Sequence, residues 1–340
     1  MRLMRVLLLL TIFVFLMTSC QRLMESGIRK GLNRQDLGML NDDRLHIILI
    51  GSGGPLNNQE RVGTSTAIIA GNEFILVDTG PCTWRNADLF DLPLAYLSGI
   101  FLTHFHSDHI GDLGEANFGS WAAGRKNRLE VYGPEGVDRV VAGFTMAYEQ
   151  DMDYRIAHHG EDVMPRDASR PVSKTIKINE PDKAELFFDR NGLKVYAFMV
   201  DHFPAKPAVG YRFEYKGNVV VITGDTKMTN YLAGHAKNAD ILISDALADK
   251  LIGIAQRIAE ENNRTRIAMI LKDIPDYHMS PIKAAELARD SGSKKLVFFH
   301  ITPPINNFIL KRMFLDGVKD VYDGDIVLGE DGMRFDLEPK

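Results

Sequence analysis

The run Thr103-His104-Phe105-His106-Ser107-Asp108-His109 places three imidazoles and one carboxylate within six residues. Imidazole nitrogen and carboxylate oxygen are ligands for zinc and other first-row divalent metals. The chain has only ten histidines, so three in one short run point to a coordinating element. On an extended turn His104 and His106 face the same way, while Asp108 and His109 reach a second position. Two adjacent cations are therefore expected, and with them hydrolysis. Two cations about 3.5–4 Å apart lower the pKa of the water between them and clamp the attacked group. The bland alternative is a surface histidine cluster that holds no metal. Farther along, His202, Asp225 and His300 offer more side chains of the same types.

Each of these candidates follows an apolar run of strand character. Residues 97–102 read as a strand whose terminal loop carries the histidine run, and 193–200 lead into Asp201-His202. Residues 209–215 and 219–223, joined by Lys216-Gly217-Asn218, read as a hairpin ending in Gly224-Asp225-Thr226. Residues 295–299 read as a strand that stops at His300, and 241–244 as a short buried strand. The first half follows the same plan, with strands at 44–50, 64–70 and 73–78, the last two joined by Gly71-Asn72. Helices are expected over 112–123 and from Ser280 (N-cap) and Pro281 to a stop near Gly292. Gly51-Ser52-Gly53-Gly54-Pro55 lacks the Lys-Ser/Thr of a phosphate loop and reads as a tight turn at the mouth of the site. The polar, proline-containing stretch 148–183 reads as irregular cover over the site. Two strand-rich halves flanked by helices imply an α/β architecture of two face-packed sheets, with the loops gathered at one edge.

With 340 residues, 45% apolar and 25% charged, the composition is globular. The net charge of -5 provides no basic field for a polyanion, so a nucleic-acid partner is not expected. Arg2 and Arg5 precede residues 6–17, which are apolar except for Thr11. That run is shorter than the roughly 20 residues that span a bilayer and fits the h-region of a secretory signal. Met17-Thr18-Ser19-Cys20 resembles the lipobox of bacterial lipoproteins, which implies a lipid on Cys20 and a protein exported to the cell envelope. The expected divisions are a signal peptide at 1–20, a polar tether at 21–43 and one domain at 44–340. Cys82 is then left without an intrachain disulfide partner and reads as a small buried hydrophobe.

Together, His104, His106, Asp108, His109, His202, Asp225 and His300 resemble the ligand pattern of the metallo-β-lactamase superfamily. GSGGP at 51–55, DHFPAKPAVGYRF at 201–213, TGDT at 223–226, HMSP at 278–281 and FFHITPP at 298–304 most resemble its ribonuclease Z and arylsulfatase-type branch. The resemblance covers most of residues 45–330 and implies a four-layer αββα sandwich with a dinuclear site at one edge. It implies His104, His106 and His202 on one metal, Asp108, His109 and His300 on the other, and Asp225 bridging. Asp78 would orient a ligand imidazole. His278 would protonate the leaving group, with Asp245 in place of the branch's usual Glu, and Asp108 would serve catalysis as well as metal. His158 and His159 fit no ligand slot and are candidates for the site rim.

The cofactors so implied are two divalent cations, zinc foremost, with manganese or iron as alternatives. The reaction so implied is attack by a metal-bridged hydroxide on a phosphodiester or sulfate ester. Lactone, carboxylic-ester or β-lactam hydrolysis is the alternative chemistry, and a non-catalytic metal-binding surface lipoprotein the alternative class. A bridging Asp225 argues against the β-lactam reading, and His106 against the flavo-diiron one. The Gly- and Lys-rich arm with which ribonuclease Z grips tRNA is not visible, and an exported protein would not meet precursor tRNA. A small-molecule ester substrate, no nucleic acid and a membrane contact through the lipid anchor are therefore expected. A homodimer is left open.

Overall fold

The computed structural model describes residues 19, 21–29, 31 and 34–340. The expected signal segment and Cys20 lie outside the described residues, Ser19 excepted. No helix among the described residues is long and apolar enough to cross a membrane.

Fourteen strands among the described residues build two seven-stranded sheets. The first contains β1 (Leu45–Gly51), β2 (Ser65–Ala70), β3 (Glu73–Val77), β4 (Leu97–Phe101), β5 (Glu130–Gly133) and β6 (Val172–Thr175). The second contains β7 (Glu185–Arg190), β8 (Leu193–Val200), β9 (Ala208–Tyr215), β10 (Asn218–Ile222), β11 (Ile241–Leu247), β12 (Lys295–Thr302) and β13 (Asp325–Leu328). β14 (Arg334–Leu337) returns to pair with β1, so the orders are β14-β1-β2-β3-β4-β5-β6 and β13-β12-β11-β10-β9-β8-β7. In each sheet an antiparallel part gives way to parallel pairs, β3 to β6 and β10 to β13.

The pleat sorts the apolar residues of these strands into layers. Leu45, Ile47 and Leu49 join Phe101, Tyr211, Phe213, Ile243 and Phe299 between the two sheets. Ile48 and Ile50 face the other way, with Leu76 and Ile100, onto α1 (Thr83–Leu89), α2 (Leu113–Ala122) and the start of α3 (Val137–His159). Leu296 and Phe298 of β12 likewise face outward, toward α6 (Pro281–Ser291) and α7 (Phe308–Leu315), while Val297 and Phe299 face inward. Strands covered on both faces must be apolar throughout, which is why β1 and β12 read as continuous hydrophobic runs. Burying one such Leu, Ile or Phe contributes about 1.5–3 kcal/mol. Three apolar interfaces separate four layers, and the expected αββα sandwich is present.

Local signals hold at several points. Gly71 and Asn72 both take positive φ (57° and 70°), the two-residue turn that matches strand twist. Ser280 accepts the Lys283 N–H at 3.3 Å, and Gly292 closes α6 in the left-handed region.

Other stretches differ from expectation. Residues 148–183 are not irregular: α3 runs 23 residues to His159 and is followed by β6. Its Met152 and Ile156 pack with Phe118 and Trp121, so its apolar face is spent on the outer helical layer. Between β11 and His278 lie α4 (Asp249–Glu261) and α5 (Thr265–Asp273), two amphipathic helices packed on each other. The stretch expected as a tether is docked from Arg34 onward. Arg34 bridges Asp88 and Asp91 at 2.7 and 2.6 Å, and Met39 and Leu40 are buried in the core of the first sheet. Cys82 is exposed, at φ 70° just before α1, because the turn ahead of that helix lies on the surface.

Candidate metal centre

The parallel strands end at a common edge, and their terminal loops carry the chemistry. Asp78 follows β3, Thr103-His104 follow β4, His202 follows β8, Asp225 follows β10, and β11 carries Asp245 near its end. His300 is placed by a bulge. β11 and β12 pair in register through Asp245 with Phe299 and resume at Ala246 with Ile301, which leaves His300 as the extra residue. Its φ of 50° turns the side chain out of the ladder. A left-handed non-glycine residue costs about 1–3 kcal/mol and persists only where its surroundings enforce it. Gly54, from the glycine-rich turn, lies against this bulge: a Cβ there would sit 2.1 Å from Thr302 Oγ1 and 3.1 Å from the His300 ring. The turn therefore needs glycine to let the backbone reach the site.

Asp225 is the hub. Its Oδ2 lies 3.3 Å from both His109 Nε2 and His300 Nε2, 3.8 Å from His202 Nε2 and 3.9 Å from His104 Nε2. On one side, His106 Nδ1 stands 2.9 Å from His104 Nε2 and 3.2 Å from His202 Nε2. On the other, Asp108 Oδ2 stands 3.1 Å from His300 Nε2 and 3.6 Å from His109 Nε2. Ligands about 2.0–2.1 Å from a tetrahedral zinc lie about 3.3 Å from one another. Both groups of atoms bracket that spacing. His104, His106, His202 and Asp225 form one group able to hold a metal, and Asp108, His109 and His300 a second.

The outer nitrogens fix the tautomers. His104 Nδ1 donates to Thr103 Oγ1 (3.1 Å), His109 Nδ1 to Asp78 Oδ2 (2.8 Å) and His202 Nδ1 to the Tyr277 carbonyl (2.9 Å). Each bond leaves the Nε2 lone pair aimed inward, the arrangement a metal ligand requires. Thr103 in turn donates its N–H and its hydroxyl to the two oxygens of Asp78, both at 2.8 Å. Two atoms of the centre, His109 Nε2 and Asp225 Oδ1, are buried with no hydrogen-bond partner. Buried polar atoms without partners are expensive. The donor types, spacing and orphaned atoms all fit a pair of cations.

Charges agree with that use. Burial, then its positive neighbours, hold His104 well below its ordinary pKa, and burial holds His202 at about 4, so both are neutral. Burial works against the charge on Asp225, yet the imidazoles of His300 and His109 keep it ionised, well below the usual carboxylate range. Asp108 is buried too, but the His300 hydrogen bond and the neighbouring His109 imidazole bring it down to about 2. Replacing Asp78 by Asn should weaken metal affinity about 10–100-fold, the usual cost of losing a carboxylate behind a ligand histidine. Asn tolerates the left-handed φ of 59° at this position, so the backbone is spared. Titration of metal-stripped protein checks it.

His278 Nδ1 donates to Asp245 Oδ2 at 3.0 Å, so the shorter Asp reaches its partner. The ring stacks on His300 at 5.2 Å between centroids, beside the ligands. Burial opposes its protonation, but Asp245 and Asp225 raise its pKa. His158 and His159 are not brought in. They sit exposed at the end of α3, packed ring against ring, and belong to neither metal group. Sequence reasoning missed Thr103 and the Tyr277 carbonyl, which set tautomers. Thr103 adjoins the histidine run; a backbone carbonyl leaves no sequence signal.

Residues 73–301 match the family model described as the beta-lactamase superfamily domain. Ribonuclease Z of Mycobacterium bovis (strain BCG / Pasteur 1173P2) is 31% identical over 299 residues, covering 87% of this chain and 99% of that protein. Ribonuclease Z of Mycobacterium marinum (strain ATCC BAA-535 / M) is 33% identical over 266 residues, 77% of this chain and 88% of that protein. Among solved structures, human tRNase Z, short form, superposes with a TM-score of 0.62 at 21% identity, covering 86% of this chain and 99% of that chain. The metallo-beta-lactamase fold protein YhfI from Bacillus subtilis gives a TM-score of 0.60 at 19% identity over 86% of this chain and 100% of that one.

These relatives correct one expectation. A small-molecule ester and no nucleic acid were expected from the charge of -5, the missing arm and the expected export, yet the relatives bear the name of an enzyme acting on RNA. Net charge averages over the whole surface, whereas a phosphodiester is met by the local charge of a metal centre.

Proposed function

Because this chain belongs to the beta-lactamase superfamily, as a dinuclear metal-dependent hydrolase, we propose that it hydrolyses phosphodiester bonds of RNA. The observation that carries the reading is Asp225, one carboxylate oxygen set within 3.3–3.9 Å of four imidazole nitrogens drawn from both metal groups. His104, His106 and His202 would hold one cation, Asp108, His109 and His300 the other, with Asp225 shared. Two divalent cations there, zinc foremost from the imidazole-rich set, would neutralise the phosphoryl group and make a water acidic enough to attack it. Water adds to phosphorus, the P–O bond to one ribose breaks, and a phosphomonoester and a hydroxyl result.

The chain's own residues do the rest. Asp78 and Thr103 keep the imidazoles turned inward. Asp245 holds the His278 ring and, with Asp225, raises its pKa against the effect of burial, which favours a proton there for the departing oxygen. The relatives' names favour phosphodiesters over sulfate esters.

Metal-reconstituted protein incubated with RNA oligomers tests the proposal. Cleavage that stops on chelation and returns with zinc or manganese is expected, with aryl sulfate untouched. Protein carrying both metals that cleaves no RNA would overturn it.

A further inference from the structure

Residues 202–205 form a turn closed by the Ala205 N–H to the His202 carbonyl at 2.9 Å. It starts at a buried imidazole of the metal centre and puts the next side chain, Phe203, 61% exposed at the surface. A phenyl ring left in water beside a catalytic edge forgoes the stabilisation that burial would give it. Lys206 Nζ stands over this ring, 4.9 Å from its centroid. Lys206 also lines a groove of about 820 Å³, together with Thr175, Lys177, Asn179, Asp201 and Tyr231. That volume suits a ligand of nucleotide size. Asp201 is neutralised by Lys227 at 3.1 Å, and Glu135 is the other carboxylate of the lining. An aromatic face, an ammonium group over it and a groove of mixed polar and apolar lining thus adjoin the ligand His202.

We propose that Phe203 is the stacking platform for the base of the nucleotide next to the scissile phosphate, and that Lys206 meets the following phosphate. The inference rests on the RNA-hydrolase reading and adds to it the subsite that selects nucleotides. Nucleobases present a flat π-face whatever their identity, so a single ring gripping one of them is tolerant of sequence. With the ammonium group on one face of the ring, the base would take the opposite face and the phosphate would meet the ammonium. The occupant is a single-stranded nucleotide segment, since a base inside a duplex has both faces stacked on its neighbours.

The test compares two RNA oligomers that differ only at the nucleotide beside the cleaved bond, one with its base and one abasic there. Metal-loaded wild-type protein should show a KM about tenfold lower for the base-bearing oligomer, with similar kcat. Phe203→Ala should abolish that preference, while Phe203→Trp should retain it. Lys206→Gln should reduce the salt dependence of KM by about one phosphate contact on both oligomers. Wild-type cleavage with the same base preference in Phe203→Ala would overturn the subsite and leave the hydrolase standing. No cleavage of either oligomer by wild-type protein would overturn both.

Discussion

Asp225→Ala should abolish hydrolysis, with a loss of about 1000-fold or more, and should lower metal content at both positions together. The reason is topological. A ligand that serves one cation, such as His202, can be removed at the expense of that cation alone, whereas Asp225 Oδ2 faces imidazoles of both groups. Removing the carboxylate also takes away a negative charge shared by four ligand imidazoles and leaves Asp108 as the one anionic ligand to offset the charge of two cations. His202→Ala is the control: one cation should be lost and the other kept. Metal content measured on both variants after identical reconstitution separates a shared ligand from an ordinary one.

The second large effect belongs to His278→Ala. General acid catalysis contributes about 10²–10⁴-fold where the leaving group is a poor one, and a ribose oxygen is poor. The variant should therefore lose that factor on RNA. On an aryl phosphodiester, whose leaving group departs readily as an anion, the loss should be about tenfold or less, and the metal content should be that of wild type. Asp245 holds the His278 ring by its Nδ1, so Asp245→Asn should give the same pattern in weaker form. The raised pKa of His278 sets the sign of the pH effect. RNA cleavage should decline on the alkaline side as the proton is lost, and that limb should be missing from the His278→Ala profile. Equal losses on both substrates would assign His278 to metal binding, for which its position 3.9 Å from Asp225 leaves room.

Much of the centre was legible because its ligands are of a few chemical types and follow apolar strands. Six of the seven ligand candidates lie in loops after a strand or at the turn beyond it, and the strand reading placed them at one edge. His300 was harder: the expected strand stopped there, but β12 continues to Thr302 and ejects His300 through a bulge. A bulge depends on the partner strand, which one segment's periodicity does not reveal. The part of α3 from residue 148 onward reads as irregular although Met152 and Ile156 stand at helical spacing, because the polar residues around them dilute the pattern. The Asn191-Gly192 turn between β7 and β8 was an available hairpin signal that went unread. Partner chemistry was misjudged for a different reason: composition reports the field of the whole surface, and the substrate meets only one edge of it.

The most direct test is the metal stoichiometry of reconstituted, desalted protein. Two cations per chain, falling to one in His202→Ala and to fewer than one in Asp225→Ala, is the result this arrangement of ligands requires. A wild-type chain that retains no metal, or that keeps both cations without Asp225, would contradict it.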